Sequence, residues 1–71
     1  MNVLEHYVVK VFEERPLTEE ESKEALKYKM NPEKFIVVSW EYNCYGDHRT
    51  IEEIILKSRW EEIKRRGYDL R

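Results

Sequence analysis

Phe35-Ile-Val-Val-Ser-Trp-Glu-Tyr-Asn43 is dense in β-branched and aromatic residues, and its reading decides the fold. Ile36, Val38, Trp40, Tyr42 and Cys44 fall on one face at a period of two, which predicts a strand lying against a core. Asn31-Pro32 breaks whatever element precedes it. Gly46-Asp47 follows as a glycine-first pair suited to a type II′ turn, from which Thr50 to Leu56 is expected to return as an antiparallel strand. A two-residue turn there sets Glu41 opposite Glu52. Like charges directly opposed across strands are destabilising, so both are expected to face water or a cationic partner.

Downstream, Thr50 could instead open a long helix to Arg66 with Ile51, Ile54, Ile55 and Leu56 as its apolar stripe. Two features favour the hairpin. Ser58-Arg-Trp-Glu61 is a capping box, placing a helix start after Lys57. Gly67 suits a C-terminal cap, giving a helix from about Arg59 to Arg66 whose last-turn cations, Lys64, Arg65 and Arg66, complement the helix dipole. Trp60 and Ile63 would lay that helix on one face of the sheet.

Upstream, residues 3–12 read as a strand with Tyr7, Val9 and Val11 on one face, ended by Pro16. Thr18 with Glu21 three positions on forms a capping box that opens a helix over residues 19–29. Its apolar anchors are few, Ala25, Leu26 and Met30, and the alternation of Leu26, Tyr28 and Met30 with lysines also fits a strand. The expectation is a single small α+β domain over residues 1–71: an antiparallel sheet of three to four strands with a short C-terminal helix packed on one face.

Hydrophobic residues make up 41% of the chain against 39% charged, which lies above the composition of disordered chains. At 71 residues such a domain leaves much of its surface in water, so self-association would help it. Cys44 is the single cysteine, which rules out an internal disulfide framework. No apolar run approaches the roughly 20 residues of a bilayer span. Met1 to Lys10 lacks the basic and apolar regions of a signal peptide, so a soluble protein of a reducing cytoplasm, with no membrane association, is expected.

Catalytic chemistry is hard to assemble from these residues. Cys44, Asp47 and His48 sit across a tight turn with no pocket around them, and only His6 remains as a distant fourth ligand for zinc. With two glycines in all, there is no glycine-rich phosphate loop. No cofactor, metal or catalytic residue is therefore assigned, and an enzyme is not expected. Trp40, Tyr42 and Tyr45, with Tyr7, Tyr28, Trp60 and Tyr68, read first as core, then as an interface, then as a stacking platform for single-stranded nucleic acid. The last is disfavoured by Glu41, Asp47, Glu52 and Glu53, which would repel phosphate.

Charge is segregated along the chain. Residues 1–56 hold twelve acidic and seven basic side chains, whereas residues 57–71 hold six basic and three acidic. Glu13, Glu14, Glu19, Glu20, Glu21 and Glu24, with Glu41, Glu52 and Glu53, are the candidate partner-binding residues. Such carboxylates can compete for the lysines and arginines that a DNA duplex would otherwise neutralise. The alternative assigns Lys64, Arg65, Arg66 and Arg71 to direct contact with nucleic-acid phosphate.

Tyr42-Asn-Cys-Tyr-Gly-Asp47, followed by Trp60-Glu-Glu-Ile-Lys-Arg-Arg-Gly-Tyr68, resembles small proteins encoded by phages of Gram-positive bacteria; the likeness covers the second half of the chain. The resemblance implies a host-takeover factor that binds and disables a host protein in the host cytoplasm. Such factors include a DNA-mimicking inhibitor of the histone-like protein HU. The partner expected is thus a host DNA-binding protein, HU or a transcription protein, with the chain acting as a homodimer. A structural phage component is the remaining alternative.

Overall fold

The computed structural model describes residues 3–71. It is an α+β fold with the strands β1 (Glu5–Arg15), β2 (Phe35–Cys44), β3 (Asp47–Leu56) and β4 (Tyr68–Leu70). Helix α1 (Glu19–Lys27) and a 3₁₀ turn (Pro32–Lys34) connect β1 to β2, and helix α2 (Lys57–Arg66) connects β3 to β4. The strands form one antiparallel sheet in the order β3-β2-β1-β4. The three to four expected strands are four, and the C-terminal helix lies on one face.

The β2–β3 hairpin forms, but its turn is one residue earlier than expected. Tyr45 and Gly46 are the central residues, both at positive φ (52° and 90°), and Cys44 pairs with Asp47. Two positive φ values identify a type I′ turn, whose twist matches the flanking strands. Asn43 braces it by accepting from the Gly46 N–H at 2.7 Å. Moving a turn by one residue moves the pairing by two, so every side chain keeps its face. Glu41 now lies opposite Thr50, and Glu52 opposite Ser39, which removes the expected opposition of two carboxylates.

Strand β1 departs further from its periodicity. Its register with β2 slips between Val8 and Lys10 and again between Val11 and Glu13. Each β-bulge inserts one residue, so the inward spacing becomes three rather than two. Val8, Val11 and Glu14 then share the face that α2 covers, opposite Tyr42, Trp40 and Val38 respectively. Tyr7 points to the other face, paired with Asn43 and Tyr68, which corrects the expected Tyr7, Val9, Val11 stripe.

Helix α1 opens on its capping box as expected: the Thr18 hydroxyl accepts from the Glu21 N–H, and Glu21 Oε1 accepts from the Thr18 N–H at 2.8 Å. It stops at Lys27, two residues short of expectation, and buries none of its residues. Helix α2 starts at Lys57 directly out of β3, so Ser58 already lies inside its first turn and the anticipated Ser58–Glu61 box does not form. Gly67 ends it at φ 88°, its N–H donating to the Ile63 carbonyl at 2.7 Å.

Between α2 and the sheet lie Val38, Trp40, Ile55, Trp60 and Ile63, joined by the half-buried Val8, Val11, Ile36, Tyr42 and Ile51. Trp40 and Trp60 are fully enclosed, with ring centroids 5.6 Å apart. A buried indole needs an acceptor for its N–H, and the sequence supplies two glutamates. Glu53 accepts from Trp40 at 2.9 Å, and Glu14 accepts from Trp60. Beside them Asp69 is buried and accepts from Arg59 (2.8 Å) and Arg71 (2.7 Å), tying α2 and the chain end to β4.

Candidate functional site: the open face of the sheet

Helix α2 covers one sheet face; the other, among the described residues, is bordered only at one end, by α1. Strand pairing sets its side chains in rows. Arg15, Val37 and Ile54 form the row beside α1; Glu13, Ser39 and Glu52 the next; Lys10, Glu41 and Thr50 the third; Tyr7, Asn43 and His48 the fourth, extended by Tyr68. Glu13 and Glu52 are two strand spacings apart, about 10 Å, and Glu41 lies diagonally from Glu52 at about 7–8 Å. Tyr7, Val9 and Phe12 are roughly half exposed. Tyr7 packs on Tyr68 at 5.6 Å, and Lys10 lies over the Phe12 ring at 5.3 Å.

Where α1 meets the sheet, Leu17, Ala25, Tyr28, Met30, Phe35 and Ile54 line an open apolar groove of about 260 Å³, with Glu21 and Glu24 also in its wall. The short helix leaves these side chains unclosed because it has too few apolar residues to fold onto the sheet.

The nine acidic residues singled out from sequence do not gather in one place. Glu13, Glu41 and Glu52 lie on the open face, and Glu19, Glu20 and Glu24 are exposed on the adjoining α1. Glu14 and Glu53 point to the opposite face and serve the two tryptophans, while Glu21 is taken by the helix cap and by Arg15 at 2.8 Å. These three are structural. Of the rest, Glu13 pairs loosely with Arg15 (3.4 Å), Glu19 with Lys23 (3.7 Å), and Glu41 with His48 Nδ1 (3.0 Å). Among the described residues, Glu20, Glu24 and Glu52 make no ion pair.

Of the C-terminal cations, Lys64 and Arg71 are held on the other side of the molecule, while Arg66 lies over the Tyr68 ring at 5.7 Å. Lys64 pairs with Glu14 (2.8 Å) and Glu61 (3.1 Å), Arg65 and Arg66 with Glu62, and Arg71 with Glu53 (2.9 Å) and Asp69 (2.7 Å). The bond from Lys64, then that from Trp60, holds the Glu14 carboxyl below its ordinary pKa, and Glu14 in turn raises Lys64. Arg15, followed by the Thr18 N–H, lowers Glu21 to about 2. The separation of charge along the sequence is thus partly cancelled in space, because the basic tail folds back onto acids of β1 and β3.

Cys44 and Asp47 face each other at the hairpin end, but Asp47 bonds Arg49 (3.0 Å) and His48 bonds Glu41. Among the described residues no three histidine, cysteine or carboxylate side chains converge as a metal site, and no helix is long and apolar enough to cross a membrane. Trp40 is enclosed and cannot act as a stacking platform. No family model, curated protein or solved structure matches the chain. Of the open-face residues, Tyr7 and Tyr68 belong to the aromatic set weighed from sequence as core or interface, whereas Lys10 and Phe12 were not singled out, because the bulges that turn β1 leave no mark in its residue pattern.

Proposed function

We propose that the protein is an interaction module whose open sheet face, with the exposed side of α1, occupies a cationic surface on a partner protein in competition with DNA. The observation that carries this reading is the placement of Glu13, Glu41 and Glu52 in adjacent rows of an uncovered face beside Glu20 and Glu24, with Lys64 and Arg71 withdrawn into ion pairs on the far side. A partner's lysines and arginines would meet carboxylates in place of phosphates and release the same counterions that DNA binding releases. Tyr7 and Phe12, half exposed on that face, supply apolar area of the kind enriched at interface centres. The partner class is a nucleoid or transcription protein; the phage-type resemblance points to a host protein and to HU in particular. The reading in which Lys64, Arg65, Arg66 and Arg71 grip phosphate draws no support from the structure, since each already pairs with a carboxylate.

The test is retention of a purified HU-type protein by the tagged chain, with duplex DNA as competitor. Binding is expected to fall as salt rises and to be displaced by duplex. The combined variant Glu13→Lys, Glu20→Lys, Glu24→Lys, Glu52→Lys should lose at least about tenfold in affinity while keeping its circular dichroism, because none of the four residues is part of the core. Undiminished binding by that variant overturns the proposal, as does retention of the partner through DNA alone, revealed by its loss on nuclease treatment.

A further inference from the structure

Strand β3 is the exposed edge of the sheet, and its protection is limited to charged side chains, Glu53 on the covered face among them. Ten residues long, it pairs with β2 without interruption from Asp47 to Leu56, and its other side meets no strand among the described residues. It contains no proline, glycine or lysine, and the bulges lie in β1. A long edge with no bulge or proline is a template for a further strand, and its charges then decide which strand fits. The opposite edge, β4, is three residues long.

We infer that this edge is a homodimer interface in which two β3 strands pair antiparallel about a two-fold axis at Ile51. The inference goes beyond the function proposed above and does not depend on it. Residues directly opposite across an antiparallel pair share a face, so a pairing centred on any residue keeps the α2 helices of both copies on the same side. Charge then selects the centre. With Ile51 opposite its own copy, Arg49 meets Glu53 twice, Thr50 meets Glu52 twice, and His48 and Asp47 meet Ile54 and Ile55. Nine residues pair with no like charges opposed. Centring on Thr50 would set Glu53 against Asp47; centring on Arg49, Glu52 or Glu53 would oppose that residue to itself. Centring on His48 or Ile54 pairs only three or five residues.

The carboxylate is prepared for this contact. The bonds from Trp40 and Arg71 both end on Glu53 Oε2, leaving Oε1 without a partner among the described residues. Arg49 is two-thirds exposed and, among the described residues, pairs only with the exposed Asp47. A guanidinium from the second copy would therefore complete the coordination of Glu53 at small cost to Arg49. The dimer would also join the two open faces into one surface, with Glu41 and Glu52 of both copies across its centre.

Sedimentation equilibrium on the whole chain tests this, together with amide hydrogen exchange as a function of concentration. The expected result is a species of twice 8.8 kDa, with β3 amides that point away from β2 gaining protection as concentration rises. Arg49→Glu places carboxylates opposite Glu53 at two symmetric positions and should weaken the dimer by about tenfold or more, with tryptophan fluorescence unchanged because Arg49 lies outside the core. A monomer at millimolar concentration overturns the inference. So does Arg49→Glu dimerising as tightly as the native chain, or concentration-dependent protection that falls elsewhere than in β3. The exchange measurement uses only the native chain, so it decides the matter even if the variant folds poorly.

Discussion

Glu14 illustrates how one carboxylate can be removed from an apparent charge cluster by its geometry. Its side chain accepts from the enclosed Trp60 indole and pairs with Lys64, so it stabilises the packing of α2 and is not available to a partner. Replacing it with alanine leaves a buried N–H without an acceptor. Glu14→Ala is expected to lose about 1–3 kcal/mol in urea unfolding, and Glu14→Gln, which keeps an acceptor oxygen, clearly less. Acid sensitivity follows from the same kind of contact. Glu21 falls from an ordinary 4.5 to about 2 in the folded chain, and Glu14 is lowered as well. A carboxylate whose folded pKa is depressed adds stability above its unfolded pKa and loses it as pH falls through the folded one. The urea midpoint should therefore decline between pH about 4.5 and about 2, and Glu21→Gln should flatten that decline. A midpoint independent of pH across this window would contradict the assignment of both ion pairs.

The β2–β3 turn and the bulges of β1 are the elements that set which side chains reach which face. Tyr45 occupies the left-handed region at φ 52° and is three-quarters exposed, so it meets the backbone cost without gaining burial. A non-glycine residue in that region costs roughly 1–2 kcal/mol, and asparagine bears it best. Tyr45→Asn, which gives the favoured Asn-Gly turn, should raise stability by about 0.5–1 kcal/mol in thermal unfolding. A loss of stability would mean that the Tyr45 ring makes contacts that outweigh its backbone strain. The hairpin itself was legible in the sequence because the alternation of Ile36, Val38 and Trp40 is strict and local. The position of its turn was not: Tyr45-Gly46 and Gly46-Asp47 are both plausible pairs, and choosing between them depends on the ladder closing at Cys44 and Asp47.

At the scale of the molecule, the segregation of charge along the chain becomes something different in space. The six cations of residues 57–71 include Lys64 and Arg71, which fold back onto Glu14 and Glu53. These partly buried pairs tie the chain's basic end to the sheet, and they leave the remaining carboxylates of the nine on α1 and the open face. The proposed partner surface is therefore smaller than the nine glutamates suggest. The four-residue charge reversal on that surface is the measurement that distinguishes a binding face from a solvated one.

The sequence by itself determined the α+β class, the β2–β3 hairpin, the capping box of α1, the glycine stop of α2 and the burial of Trp60 and Ile63. Each of these depends on residues within a few positions of one another, where periodicity and backbone chemistry act without reference to the rest of the chain. Only the tertiary structure decided the rest. Bulges in β1 arise from matching its ladder to β2, the acceptors for the two tryptophans come from strands distant in sequence, and Asp69 is buried because Arg59 and Arg71 converge on it. Those outcomes rest on which groups meet across the sheet, and a linear charge pattern holds no record of such meetings.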